Sequence, residues 1–119
     1  MRKVLSLLVV LLFAFPVFAE EMSEPEKIEA LLDTVENSGV TFIRDGEEHD
    51  GKWAREHLED KMKEIKGANT AEDFITKIGS FSRATGKPYI IKLKDGTQME
   101  SAKWLHAQLK EFETAETME

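Results

Sequence analysis

The residues whose types could do chemistry gather in two places. The first is Ser80-Phe81-Ser82-Arg83-Ala84-Thr85-Gly86-Lys87-Pro88-Tyr89, which concentrates hydroxyls, two cations and a flexible glycine. Such a mixture can hold a small anion or carboxylate through charge-assisted hydrogen bonds from Arg83, Lys87 and the hydroxyls of Ser80, Ser82 and Thr85, with Arg44 as a further donor. It is not a phosphate-binding P-loop: Gly79 lies too far from Gly86, and Pro88 follows Lys87 where that motif needs Ser or Thr. The competing reading is a connecting loop whose Ser and Thr side chains bond their own backbone. The second place is helical. His57 flanks an apolar stripe and Lys61 follows one turn later, nearer to it. This is either an amphipathic boundary, with the lysine stem lying along the core and its head in water, or a polar corner facing a cleft.

Other chemistries find less support. Ser80 or Ser82 with His57 and Asp73 supplies the types for a nucleophilic triad, but no Gly-x-Ser-x-Gly elbow presents either serine. His49, His57 and His106 do not have metal-ligand spacing, and the chain has no cysteine, so thiol chemistry is excluded. Trp53 and Trp104 stand near helix starts beside apolar stripes and read as core anchors more than as a stacking surface. No cofactor and no metal are expected.

The elements that must position these residues can be traced along the chain. Ser23-Glu24-Pro25-Glu26 is a capping box with proline in the first turn, and Ile28, Leu31, Leu32 and Val35 follow at helical spacing as far as Asn37-Ser38-Gly39. Val40 to Arg44 reads as a strand, and Asp45-Gly46 as a tight turn with a weak return arm, Glu47 to His49. Asp50 caps a second helix to about Lys66, with Ala54, Leu58, Met62 and Ile65 as its buried stripe. Thr70-Ala71-Glu72-Asp73 opens a third helix whose apolar face is Phe74, Ile75, Ile78 and Phe81. Tyr89 to Lys94 is a second strand ending in Asp95-Gly96, and Ser101 caps a last helix carrying Trp104, Leu105, Leu109 and Phe112. The acidic run from Glu113 opposes the helix dipole and should fray. The order of helix, strand, turn and helix occurs twice, which suggests two pseudo-repeated units with the two strands paired centrally. The fold class is α+β: about four helices packed on a small sheet of two to four strands.

Residues 1–19 read as a cleavable secretory signal peptide. Met1-Arg2-Lys3 is a positive n-region, the apolar run from Val4 to Phe15 ends at Pro16, and Val17-Phe18-Ala19 offers small residues for cleavage. The run is too short for a transmembrane span, and no cysteine follows for lipidation. Residues 20–119 then form a single small domain. Removing Arg2 and Lys3 takes the net charge from −7 to −9. That balance disfavours nucleic acid and anionic membrane surfaces. A packed core without disulfides is expected, in an oxidising compartment.

The residues that carry a family likeness are spread over this domain. They are Glu26-Lys27-Ile28, Ser38 to Gly46, Ala54 with His57-Leu58 and Lys61, Thr70 to Ile75, Ser80 with Ser82, Thr85 to Tyr89, and Trp104-Leu105 with Leu109. Together they resemble the YfeK-like family of small exported proteobacterial proteins, a domain of unknown function. The resemblance implies a periplasmic location and no established activity, and it supplies no catalytic residue. It also implies that relatives often carry Asn at the position of Asp45, and a cysteine at the position of Val40 with another near Leu93. Val40 and Leu93 should then be neighbours here.

The expected function is a periplasmic, non-catalytic binding or interaction module for a small anionic ligand or an envelope component. Its expected site is Arg44, His57, Lys61, Ser80, Ser82, Arg83, Thr85 and Lys87. The alternatives are a small hydrolase or transferase using Ser82 and His57, and a protein-protein adaptor or inhibitor. The partner is an unidentified small molecule or envelope protein, and the chain is expected to be a monomer or weak oligomer without stable membrane insertion.

Overall fold

The computed structural model describes residues 21–117; the expected signal peptide lies outside the described residues. Ser23 begins helix α1 (Glu24–Asn37) with both halves of its capping box in place, Glu26 N–H to Ser23 Oγ at 3.2 Å and Ser23 N–H to Glu26 Oε1 at 2.8 Å. Strands β1 (Thr41–Arg44) and β2 (Glu47–His49) form a hairpin around Asp45-Gly46. Both turn residues have positive φ, 52° and 86°, the combination that a two-residue hairpin loop demands and Asp-Gly supplies. Helix α2 (Gly51–Glu64) starts from Asp50, whose carboxylate accepts the Trp53 N–H at 2.9 Å. Gly51 lies so close to the end of α1 that a Cβ there would stand 2.5 Å from the carbonyl oxygens of Val35 and Glu36.

The second half repeats the order. Helix α3 (Ala71–Asp73) opens on Thr70, which accepts the Asp73 N–H at 3.0 Å, and passes directly into a π-helical turn, Phe74–Ile78. Hairpin β3 (Ile90–Lys92) and β4 (Gln98–Glu100) follows, then helix α4 (Ser101–Thr117). The sheet is antiparallel with strand order β2-β1-β3-β4, so the two strands read from the sequence form the central pair and each carries its return arm on the outside. The fold is α+β, four helices on a four-stranded sheet.

Strand periodicity decides which residues face the helices. One row across the sheet, His49, Phe42, Ile91 and Met99, is aligned by the register, and Phe42 and Ile91 at its centre are fully buried. They pack with Leu31, Leu58, Phe74, Ile75 and Leu105, each such side chain contributing roughly 1.5–3 kcal/mol by leaving water. By the same alternation Val40, Arg44, Tyr89 and Leu93 share this face. Continuing the β1–β3 register by one residue at either end sets Val40 opposite Leu93 and Arg44 opposite Tyr89. That extension agrees with the expected adjacency of Val40 and Leu93; Val40 is buried and Leu93 is packed against the core.

Several local expectations are corrected. Helix α2 ends at Glu64, with Ile65 extended and Gly67 at φ 93°. Its buried positions are Ala54, Leu58 and Lys61, while Met62 and Ile65 are only partly buried. Phe81 is 50% exposed and leaves the apolar face assigned to it. Ser101 does not cap α4: its Oγ is buried without a hydrogen-bond partner, while its N–H donates to the Tyr89 carbonyl at 2.8 Å. Helix α4 continues to Thr117 through part of the acidic run, and Glu113 accepts from Lys27 Nζ at 3.3 Å. Among the described residues no helix is long and apolar enough to cross a membrane.

Candidate functional site

Helix α2 presents His57, Asp60, Lys61 and Glu64 on one face, because residues three, four and seven apart fall within one stripe. Across from it stand Arg44 and Tyr89, and the loop after the π-helix contributes Arg83 and Ala84. Together these residues line a cavity of about 450 Å³.

Its floor is a hydrogen-bonded chain. Lys61 is 5% exposed, and its ammonium donates to the carbonyls of Ile78 at 2.9 Å and Phe81 at 2.6 Å and to the Tyr89 hydroxyl at 3.1 Å. The carbonyls at the end of a helix lack intrahelical donors. Here a cation from another helix caps the π-helical turn, and its charge complements the negative end. Ser80 Oγ caps the same turn by donating to Ile75 O at 2.6 Å. Burial, then the charges of Arg83 and Arg44, push Lys61 down to about 8; it remains an ammonium at neutral pH. It therefore does not keep its head in water, as the boundary reading required.

Tyr89, 1% exposed, also meets His57 Nε2 at 3.1 Å. Burial raises the phenol above its ordinary value. Burial, then Arg44 and Lys61, lower the His57 imidazole below its ordinary value, against a smaller pull from Asp60. The His57 ring stacks on Trp53 (centroids 4.8 Å apart, planes at 7°), whose other neighbour is the stacked His49 ring at 3.5 Å. Trp104 is a core anchor as expected; Trp53 packs against the core as well, partly buried, and is also the middle plate of the stack His49-Trp53-His57. On the rim Arg83 pairs with Glu64 at 3.0 Å. Arg44 is less committed: its Nε is buried without a hydrogen-bond partner and stands 3.9 Å from the Asp45 carboxylate.

Of the eight residues expected to form the site, Arg44, His57, Lys61 and Arg83 converge on this cavity. The others serve the frame. Ser80 holds the π-helical turn. Ser82 Oγ and Thr85 Oγ1 donate to the two oxygens of Asp45 at 2.8 and 2.5 Å, tying the loop to the hairpin turn. Lys87 joins through its backbone, giving its N–H to Thr85 Oγ1 and its carbonyl to the Ser82 N–H. Ser82 is engaged by Asp45 and His57 by Tyr89. Sequence reading did not single out Tyr89, Asp60, Glu64 or Asp45. The seven-residue spread of polar groups on α2 was a usable signal for Asp60 and Glu64; the central place of Tyr89 required the strand register.

The Asp45 latch has a testable acid dependence. The hydrogen bonds from Thr85, then Ser82, hold its carboxyl below the usual range. A folded value below the unfolded one stabilises above the unfolded value, and that contribution is lost as pH falls through the folded value. Hydrogen-exchange protection of residues 82–87 is expected to fall below about pH 4. In Asp45→Asn, where the turn is retained because Asn tolerates positive φ, protection should already be reduced at neutral pH and the acid step absent. Unchanged protection in the variant would refute the latch.

A larger groove, about 720 Å³, lies between α1 and α2, lined by apolar Ile28, Leu32 and Met62 with Glu29, Glu59 and Lys63 on its edges. Its carboxylates are not free. Glu29 and Glu59, with Asp33 and Glu36, surround Arg55, which bonds all four and staples the two helices. Among the described residues no cluster of His, Asp and Glu could hold a metal ion.

The fold and its polar end define a small α+β domain whose cavity gathers Arg44, Lys61 and Arg83 with His57, Asp60 and Glu64. The chain belongs to the family of unknown function DUF5329, whose pattern matches residues 22–113. It is similar to the uncharacterized protein YfeK of Salmonella typhimurium, 36% identical over 92 residues that make up 75% of this chain and 77% of the relative. No solved structure matches it.

Proposed function

We propose that this protein is a non-catalytic binding module of the periplasm that takes a small anionic ligand, a carboxylate or phosphate compound, at the end of the central strand pair. The observation that carries the reading is Arg44. Its guanidinium lines the cavity, its Nε makes no hydrogen bond and stands 3.9 Å from the Asp45 carboxylate, and an oxyanion in the cavity would take charge-assisted hydrogen bonds from the guanidinium. Lys61 and Arg83 add positive potential around the same space, while Lys61 holds the floor rigid. The periplasmic location rests on residues 1–19, whose pattern is that of an export signal.

The test is thermal shift and calorimetry with sulfate, phosphate and small mono- and dicarboxylates. A ligand at about a hundred times its dissociation constant adds roughly 2.7 kcal/mol, a rise of about 10 °C for a domain of this size. Arg44→Gln is expected to weaken binding by about tenfold or more, the value of a charge-assisted hydrogen bond. No shift with any anion, or equal affinity in Arg44→Gln, would overturn the reading.

A further inference from the structure

We propose that an anion entering this cavity brings a proton with it onto His57, so that the site fills more readily as the pH falls; this rests on the anion-site reading above. The direction of the hydrogen bonds on the cavity floor carries the inference. Lys61 has three N–H donors and no acceptor, and all three are directed at oxygens, of Ile78, Phe81 and Tyr89. Arg44, opposite Tyr89 in the strand register, is likewise donor-only. The Tyr89 oxygen is thus an acceptor towards its cationic neighbours, and its own proton goes to the remaining partner, His57 Nε2, 3.1 Å away. The floor therefore fixes the empty site with an unprotonated Nε2 and a neutral imidazole.

The groups around His57 set what an anion changes. Arg44 from β1, His49 from β2 and Lys61 on its own helix oppose a second proton on the ring, as burial does, and Asp60 alone among these neighbours favours it. Arg83 and Glu64 across the cavity pair with each other. An oxyanion held by Arg44 places negative charge among the opposing cations and offsets them. The Trp53 ring, already parallel to His57, then offers its face to an imidazolium. Once Nε2 is protonated it donates to the Tyr89 oxygen, and the Tyr89 hydroxyl proton is released to turn towards the anion. The proton comes from solvent, no covalent bond is made or broken, and one protonation both adds a positive charge and frees a donor. By linkage the proton strengthens anion binding by the same factor as the anion strengthens proton binding.

Sulfate is the probe, because it does not titrate over the range used. Calorimetric titration of the protein with sulfate at constant ionic strength, in buffers of different ionisation enthalpy between about pH 5 and about pH 8, reads the protons taken up per anion. Uptake should approach about one proton per sulfate between the midpoints of the free and bound states, with affinity rising by up to about tenfold per pH unit as pH falls through that window. In His57→Gln, sulfate should still bind and the uptake should vanish. In the unaltered protein, the His57 midpoint followed by NMR should move upward on adding sulfate, a measurement that needs no variant. Sulfate binding without proton uptake, an unmoved His57 midpoint, or equal uptake in His57→Gln would each overturn the coupling and leave the anion site standing. Absence of sulfate binding at every pH would overturn the coupling, and absence of binding by every anion of the panel would overturn the site as well.

Discussion

Replacing Lys61 by methionine is expected to lower the free energy of unfolding by about 3 kcal/mol, on the order of 1 kcal/mol for each of three acceptors left without a donor. Methionine matches the lysine stem in length and flexibility, so the packing against the core is kept and the ammonium alone is deleted. Two effects compete. Burial and the nearby guanidinium groups of Arg83 and Arg44 make the charge unfavourable, as the value of about 8 records, and deletion relieves that. Against it stand three hydrogen bonds to an ionised donor, each typically worth about 1.5–3 kcal/mol, and the loss of the cap on the π-helical turn. The second side is larger. Urea denaturation gives the total, and hydrogen exchange should show the loss concentrated between Phe74 and Phe81.

The same substitution carries a pH signature. The folded value of Lys61 lies below its ordinary 10.5, so the pH-linked gain in stability is complete above the unfolded value and lost as pH falls towards about 8, where the hydrogen bonds of the ammonium remain. Stability should therefore gain from this group as pH rises from about 8 towards 10.5, and Lys61→Met should lack that gain. A variant as stable as the parent, with the same pH dependence, would show that the ammonium is incidental to the fold.

The largest stabilisation is expected at the other end of the central strand pair. Val40→Cys with Leu93→Cys should form a disulfide on air oxidation and raise the free energy of unfolding by up to about 4 kcal/mol, the chain-entropy value for a loop of this length. Residues directly opposite on antiparallel strands have Cα atoms about 4.5–5.5 Å apart, inside the range a disulfide spans without moving the backbone. Val40 and Leu93 stand opposite by extension of the register and share the helix-covered face. The reduced double variant should be less stable than the parent, since two apolar side chains are shortened, so oxidised and reduced forms of the same variant are the proper comparison. Failure of the thiols to pair would refute the extended register.

The local signals were legible because their causes are local. Ser23 with Glu26, Asp50 with Trp53 and Thr70 with Asp73 are caps closed within three residues of chain, and Asp45-Gly46 carries its turn geometry in two. The central strands were legible from β-branched and aromatic runs. Their return arms were not: Glu47 to His49 and Gln98 to Glu100 have little strand preference of their own and are held by the neighbouring strand. The π-helical turn was invisible, because Phe74, Ile75 and Ile78 fit α-helical spacing equally well.

The candidate site divides along the same line. Arg44, His57, Lys61 and Arg83 could be picked out as polar residues off the apolar stripes, a judgement that composition and periodicity support. That Lys61 is buried, Tyr89 is the hub, and Ser82 and Thr85 serve Asp45 depended on partners 17 to 40 residues away, and no spacing rule reaches that far. The sequence by itself determined the helices and the central strands, the caps at Ser23, Asp50 and Thr70, the hairpin turn at Asp45-Gly46, the acidic balance and the family. Only the tertiary structure decided which polar groups would be frame and which would face the cavity, because a side chain's role is set by the acceptors and charges that folding brings to it. For Lys61 those are two carbonyls and a phenol; for Arg44 Nε it is the Asp45 carboxylate 3.9 Å away, without a hydrogen bond.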